Sequence, residues 1–132
     1  MDEIETHKSI DTQYSGRCID LIPGKRSVVL LATQEFMKTD ERGLLHGGFT
    51  FSLADYAAMV AVNHPHVVLA KAIVSFISPV KVGVQLIAKA RVYRHVGNKY
   101  FVKVGVQVDD RVVFVGSFKC VVPPDHVLDL TP

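Results

Sequence analysis

A chain of 132 residues is about one domain long, and its hydrophobic content of 48% suffices for one buried core, so a single domain over 1–132 is predicted. The net charge is only +2 and Lys and Arg are scattered, which argues against a nucleic-acid-binding surface. The acidic start is unlike a signal peptide, and no apolar run reaches the roughly 20 residues that span a bilayer. A cytoplasmic protein without membrane contact is expected.

The cysteines and histidines do not form a metal-binding pattern. Cys18 and Cys120 lie far apart in the chain, and neither belongs to a CxxC pair. His64-Pro65-His66 has no third ligand at a suitable spacing. We therefore predict reduced thiols and no metal.

The first part of the chain predicts a hairpin followed by a surface connection. Residues 1 to about 12 are polar and aperiodic, which indicates a flexible end or a short surface helix. Residues 18–22 and 27–31 are β-prone and flank the turn residues 23–25. Residues 34–45 are polar and predict a loop at the surface.

The second part predicts one buried helix and four strands. Residues 49–63 are apolar almost all round until Pro65 stops the helix, as expected of a helix enclosed by other structure. The order predicts an α+β fold in which one antiparallel sheet wraps around one long central helix. The strands are predicted as a meander at residues 70–80, 84–93, 100–108 and 112–122.

The strand at 101–108 alternates only in part, because apolar residues also occupy its predicted solvent face. A partner covering that face would explain the pattern, so an oligomer is expected.

The helix start carries the most informative residues. Gly47 and Gly48 would let a substrate approach the backbone, and the free N–H groups of a helix N-terminus suit a developing oxyanion, with Gly48 N–H as the candidate donor. Asp55 is the only charged residue in the helix. A buried carboxylate is too costly to persist without a partner or a function. Catalysis and hydrogen bonding to a neighbouring strand or subunit both stay open.

Seven helical residues place Asp55 roughly 10 Å along the axis from Gly48, so one chain does not easily aim both groups at one carbon. A two-fold dimer that joins the amide of one subunit to the carboxylate of the other solves this geometry. We predict active sites shared between subunits.

Several neighbouring residues have two interpretations each. His46 fixes the turn or contacts the substrate carbonyl, and Ser52 stands in no GxSxG elbow, which makes a serine triad improbable. Residues at two other places either bind substrate or are structural: Met59, Val62 and Phe76 line an acyl pocket or belong to the core, and Arg91, Arg94, Lys99 and Lys103 meet nucleotide phosphates or form a solvated hairpin.

His46-Gly47-Gly48, followed by residues 51–55 and Asn63, resembles the signature of the phenylacetate-pathway type of acyl-CoA thioesterases in the hotdog superfamily. Residues 75–83 look like the strand and Pro-Gly turn that follow the helix there, and the similarity covers roughly residues 15–122.

The resemblance implies a hotdog dimer, usually paired into a tetramer, that hydrolyses acyl-CoA without a metal or redox cofactor. Asp55 would be general base or nucleophile, and the Gly48 amide would polarise the carbonyl. Gly97-Asn98-Lys99 departs from the Gly-Arg or Gly-Lys pair of many relatives. His46 and Gly47 also belong to the catalytic motif. The predicted substrate contacts are Phe49, Ser52, Met59, Asn63, Phe76, Arg94 and Lys99.

Two other functions are alternatives. One is a non-catalytic hotdog domain that senses acyl-CoA, as in lipid-responsive repressors, although the N-terminal segment here is too short for their DNA-binding part and Asp55 is retained. The other is a hotdog hydratase or dehydratase, whose histidine and carboxylate spacing Asp40 and His46 do not reproduce.

Overall fold

The computed structural model describes residues 1–130. Six strands and one long helix dominate, with two one-turn helices and a 3₁₀ turn around them. In chain order the elements are α1 (Thr12–Ser15), β1 (Arg17–Ile22), β2 (Arg26–Ala32), the 3₁₀ turn (Glu35–Met37), α2 (Gly47–Val62), β3 (Val68–Phe76), β4 (Gln85–Val96), β5 (Lys99–Val108), β6 (Arg111–Val121) and α3 (Val127–Leu130).

All strand pairs are antiparallel, and the sheet order is β1-β2-β4-β5-β6-β3. The predicted hairpin and the β4-β5-β6 meander are confirmed. The prediction of a four-strand meander is wrong for β3, which pairs with β6 and leaves β4 to pair with β2. Helix α2 carries the chain across the sheet, so β3 joins the far edge rather than its sequence neighbour.

Helix α2 lies against the inner face of the sheet. Ala54, Ala57, Ala58 and Ala61 are fully buried, and their small side chains let the helix backbone approach the strands closely. On β5, buried residues that face the helix alternate with exposed or half-buried residues. The uniformly apolar helix is explained by this enclosure, and the α+β hotdog architecture implied by the resemblance is confirmed. The buried row of β5 consists of Val102, Val104 and Val106.

The N-terminal segment contacts the end of α2, in contrast to the expected flexible end. Asn63 adopts a left-handed conformation at the C-cap, and its side chain binds the segment: Oδ1 accepts from Glu5 N at 2.7 Å and Nδ2 donates to Glu3 O at 3.0 Å. Thr6 is buried. None of the helices within residues 1–130 has the length and apolarity needed to cross a bilayer.

Candidate active site

The start of α2 is held by His46, the N-cap residue. Its backbone is extended, and its ring Nδ1 accepts a hydrogen bond from Gly48 N at 2.7 Å. His46 N donates to Met37 O at 2.9 Å, which ties the loop to the fully buried Met37. The ring therefore takes the role that Asp, Asn or Ser usually has at a helix start, satisfying one of the free amides.

Both glycines are in close contact with aromatic rings. A Cβ on Gly48 would lie 2.8 Å from His46 Nδ1, and a Cβ on Gly47 would lie 3.0 Å from Phe76 Cε1. The Gly48 N–H, predicted as the oxyanion donor, is engaged by the His46 ring. Within residues 1–130 the Gly47 N–H has no acceptor. Gly47 is thus the amide at this helix start that is free for a ligand.

A cleft of about 320 Å³ lies beside Gly47. Phe76 forms part of its wall, is 56% exposed, and packs edge-on against the buried Phe114 with ring centroids 5.2 Å apart. We call it the helix-start cleft, and its lining is mostly apolar, which suits an acyl chain. Its residues are Leu45, Gly47, Thr50, Phe76, Ile77, Ser78, Pro79, Val80 and Val113.

Asp55 is half-buried on α2, and its Oδ1 is buried without a hydrogen-bond partner among residues 1–130. No ion pair of that part of the chain includes it. Burial raises the pKa of the carboxyl from 3.8 to about 6. Burial also raises the pKa of Cys120 on β6 to about 12, and the Asp55 charge adds to this effect. The carboxylate therefore lies next to β6, one strand from the free edge at β3.

Gly48, Ser52 and Asp55 follow one another at helical spacing, so they share one face of α2. Ser52 Oγ lies 2.8 Å from Ser15 Oγ, a contact that uses the hydroxyl within the chain. Asp55 does not line the helix-start cleft. Within one subunit the carboxylate and the Gly47 amide are thus at different places, as the helical spacing predicted.

The remaining predicted substrate contacts are spread over the molecule. Phe49 packs with Tyr14 and Phe36 in an aromatic cluster next to His46. Met59 has no exposed surface and lies in the core, together with Val62. Asn63 is at the opposite end of the helix from the glycines.

Arg94 and Lys99 flank the β4–β5 turn, which the structure does not bring to the helix start. Gly24, in the β1–β2 turn, donates to Ala61 O near the C-terminal end of α2. Arg26, just after that turn, lies opposite Arg91 where β2 pairs with β4. The last residues of β4 therefore extend past the C-terminal end of the helix.

Thr50, Ile77 and Pro79 line the helix-start cleft but were not predicted as site residues from the sequence. Pro79 stood within the motif at residues 75–83, but nothing in the sequence placed that motif against Gly47. Within residues 1–130 no three His, Cys, Asp or Glu side chains stand close enough to hold a metal ion.

The profile of the thioesterase superfamily matches residues 42–116, which is 75 of the 132 residues and includes α2, β3, β4 and β5 in full. The chain belongs to this superfamily. Among solved structures, it superposes with a TM-score of 0.94 on an uncharacterized protein from Pyrococcus horikoshii, at 50% identity and covering 97% of this chain and 98% of that one. The PaaI protein from the phenylacetic acid degradation operon of E. coli shares the fold, with a TM-score of 0.77, 22% identity, and coverage of 86% and 83%.

Two curated relatives of this superfamily member are longer proteins. It is 51% identical over 116 residues to a methylthioribose-1-phosphate isomerase from Aquifex aeolicus, covering 88% of this chain and 25% of that protein. It is 37% identical over 107 residues to the transcription factor FapR from Thermoanaerobacter sp., covering 81% of this chain and 54% of that protein. The chain thus spans between a quarter and about half of the curated relatives it matches.

Proposed function

We propose that this protein hydrolyses acyl-CoA thioesters to the free acid and coenzyme A, with Asp55 as general base or nucleophile. The observation that carries the proposal is the buried Oδ1 of Asp55, which has no hydrogen-bond partner among residues 1–130, in an otherwise apolar helix of a thioesterase-superfamily chain. A carboxylate without a partner is costly to keep, and a reaction that uses it explains its presence.

The environment of Asp55 suits proton abstraction from water. Because burial raises its pKa to about 6, the carboxyl is ionised at neutral pH yet basic enough to accept a proton efficiently. Attack of a water molecule on the thioester carbonyl transfers one proton to Asp55 and gives a tetrahedral intermediate. Its collapse breaks the C–S bond and releases the coenzyme A thiolate. Direct attack by the carboxylate is the other route.

The amides at the start of α2 would stabilise the oxyanion of that intermediate. Gly48 N–H is the donor that the resemblance implies, and it becomes available when the His46 ring turns away from it. Gly47 N–H needs no such change, which supports its participation. His46 then has a positional role, because its ring sets the orientation of the first helical turn.

We propose that two subunits build each site. The free edge of β3, one strand beyond the β6 that lies next to Asp55, offers unpaired backbone groups, and exposed sheet edges are prone to pair with another strand. Ile73, Phe76 and Ile77 are 66%, 56% and 55% exposed at or just after this edge, an apolar surface that a second copy would cover. A two-fold arrangement would bring the Asp55 of one subunit to the helix start of the other.

The test is thiol release from short, long and aromatic acyl-CoA substrates, without added metal and with EDTA. Asp55→Asn is expected to lower turnover at least a hundredfold, in line with general-base contributions. Asp110→Asn, which removes an exposed carboxylate from the β5–β6 turn, is the matched control and should retain activity. Full turnover by Asp55→Asn, or none by the unaltered protein, contradicts the proposal.

A second candidate function is binding of acyl-CoA without turnover. It is favoured by the match over most of this chain to a protein named as a transcription factor. Calorimetric binding of an acyl-CoA, with no thiol released over hours, would support this candidate. A crotonyl-CoA hydration assay on the same samples tests the hydratase alternative.

A further inference from the structure

A second cleft, of about 430 Å³, adjoins the helix-start cleft and shares Pro79 and Val80 with it. Three cationic side chains surround it: Arg42 from the loop before α2, Lys81 from the β3–β4 loop, and Arg111 from the start of β6. We call it the basic cleft. Its lining consists of Asp40, Arg42, Leu44, Pro79, Val80, Lys81 and Arg111.

Backbone hydrogen bonds fix the two loops that carry Arg42 and Lys81. Val82 N donates to Gly43 O at 2.8 Å, and Leu45 N donates to Val80 O at 2.8 Å. An isolated bridge joins Leu44 to Lys81. The cations are therefore presented from a paired backbone, which lowers the entropy cost of gathering them around a ligand.

The three cations have no anionic partner in the part of the chain that the structure describes. Within residues 1–130 none of them lies within ion-pair distance of a carboxylate. Asp40, the acid of the basic cleft, directs Oδ1 to its own loop, where it accepts from Leu44 N at 3.2 Å. Arg111 makes one long contact, from Nη1 to Pro79 O at 3.5 Å, which leaves most of its guanidinium donors available.

We propose that the basic cleft binds the phosphates of the coenzyme A part of the substrate, an inference that rests on the proposed thioester hydrolysis. Coenzyme A carries a diphosphate and a 3′-phosphate at the end remote from the thioester. Arginine forks and lysine ammonium groups are the usual protein partners of such phosphates.

The layout matches a substrate with a reactive end and a charged end. Arg42 and Gly47 are five positions apart in the chain, so their Cα atoms lie at most about 18 Å apart. The pantetheine arm, largely uncharged, would follow the shared wall at Pro79 and Val80 from one cleft to the other. Arg94 and Lys99, the phosphate contacts predicted from sequence, lie past the opposite end of α2.

The test compares acyl-CoA with acyl-pantetheine of the same acyl group, which lacks the nucleotide and its phosphates. In the variant carrying Arg42→Gln, Lys81→Gln and Arg111→Gln, we expect KM for acyl-CoA to rise about tenfold or more while kcat stays within about twofold. KM for acyl-pantetheine should not change. The matched control, which we call the outer-face control, carries Arg17→Gln, Lys25→Gln and Lys89→Gln. These changes remove the same charge from exposed positions that line neither cleft.

Three results would overturn the inference. The first is an unchanged KM for acyl-CoA in the basic-cleft variant. The second is an equal rise in KM for acyl-CoA and acyl-pantetheine in that variant. The third is a rise in KM for acyl-CoA in the outer-face control, or in an Arg94→Gln, Lys99→Gln variant, in place of the basic-cleft variant. If the triple variant does not fold, the three single variants serve, each expected to raise KM for acyl-CoA about twofold to threefold.

Failure of the proposed hydrolysis gives a different outcome. If neither thioester is turned over, calorimetric titration with coenzyme A itself still tests the basic cleft. Binding that weakens about tenfold or more in the basic-cleft variant, but not in the outer-face control, supports the phosphate site even without catalysis. No binding to the unaltered protein, or equal binding to both variants, refutes it.

Discussion

Asp55→Asn should make this protein more stable at neutral pH while it removes activity. Asparagine has nearly the shape of aspartate but carries no charge, so it resembles the protonated acid. The carboxylate of Asp55 has its Oδ1 buried without a hydrogen-bond partner among the described residues, and burial raises the pKa of the carboxyl to about 6. The ionised form is therefore disfavoured in the folded state, and the substitution removes that cost.

The size of the gain follows from the two pKa values. In the unfolded chain the carboxyl titrates near its ordinary 3.8, and in the folded chain near 6. As pH rises from about 4 to 6, the unfolded state loses its proton first, so the free energy of unfolding falls and then levels off above pH 6. Linkage gives a gain for Asp55→Asn of about 1 kcal/mol at pH 4.5 and about 3 kcal/mol at pH 8.

Urea unfolding followed by far-ultraviolet circular dichroism measures this difference, since the chain has no tryptophan. Protein concentration is held fixed, because self-association makes stability depend on it. Asp110→Asn, an exposed control, should show no growing gain between the two pH values. A variant that is equally stable or less stable than the unaltered protein at pH 8 refutes the reasoning, because it means that the carboxylate has a hydrogen-bond or charge partner.

Three further outcomes are expected. His46→Ala should lose about 1 kcal/mol of unfolding free energy and His46→Asn should recover most of it, because both His46 and Asn can accept from the Gly48 amide; equal losses contradict a capping role. Gly16→Ala should cost more than about 2 kcal/mol, because φ is +98° and a Cβ would lie 2.8 Å from Leu30 O, whereas Gly24→Ala, at φ +76° in open space, should cost about 1 kcal/mol. Cys120, buried and with a thiol pKa of about 12, should not react with a disulfide reagent at pH 8 until urea unfolds the chain; rapid labelling of the folded protein contradicts this.

The elements of this fold could be predicted from the sequence because each leaves a local pattern. The apolar run at residues 49–63 predicted α2, which the structure places at Gly47–Val62, and the β-prone runs predicted all six strands. The place of β3 could not be predicted in this way. Its pairing with β6 brings Phe76 opposite Phe114, a contact between residues 38 positions apart that depends on how α2 crosses the sheet.

Part of the candidate site could likewise be predicted from local sequence patterns, and part could not. The glycines and the lone carboxylate of α2 are visible in the sequence, and the seven-residue spacing of Gly48 and Asp55 alone sets these two on one face of a helix roughly 10 Å apart. The engagement of the Gly48 amide by His46 was within reach of sequence reasoning, because a polar residue just before a helix commonly caps it. Only the tertiary structure shows that the Gly47 N–H has no acceptor among residues 1–130.

The amino-acid sequence by itself determined which main segments are helix and strand, which helix is buried, and which of its residues are candidates for chemistry. These properties depend on neighbours within a few residues along the chain. Only the tertiary structure decided that Asp55 lies beside Cys120 near a free sheet edge, and that Arg42, Lys81 and Arg111 surround one cleft next to Gly47. Such contacts join residues that strand pairing brings together across the sheet, and no local pattern records them.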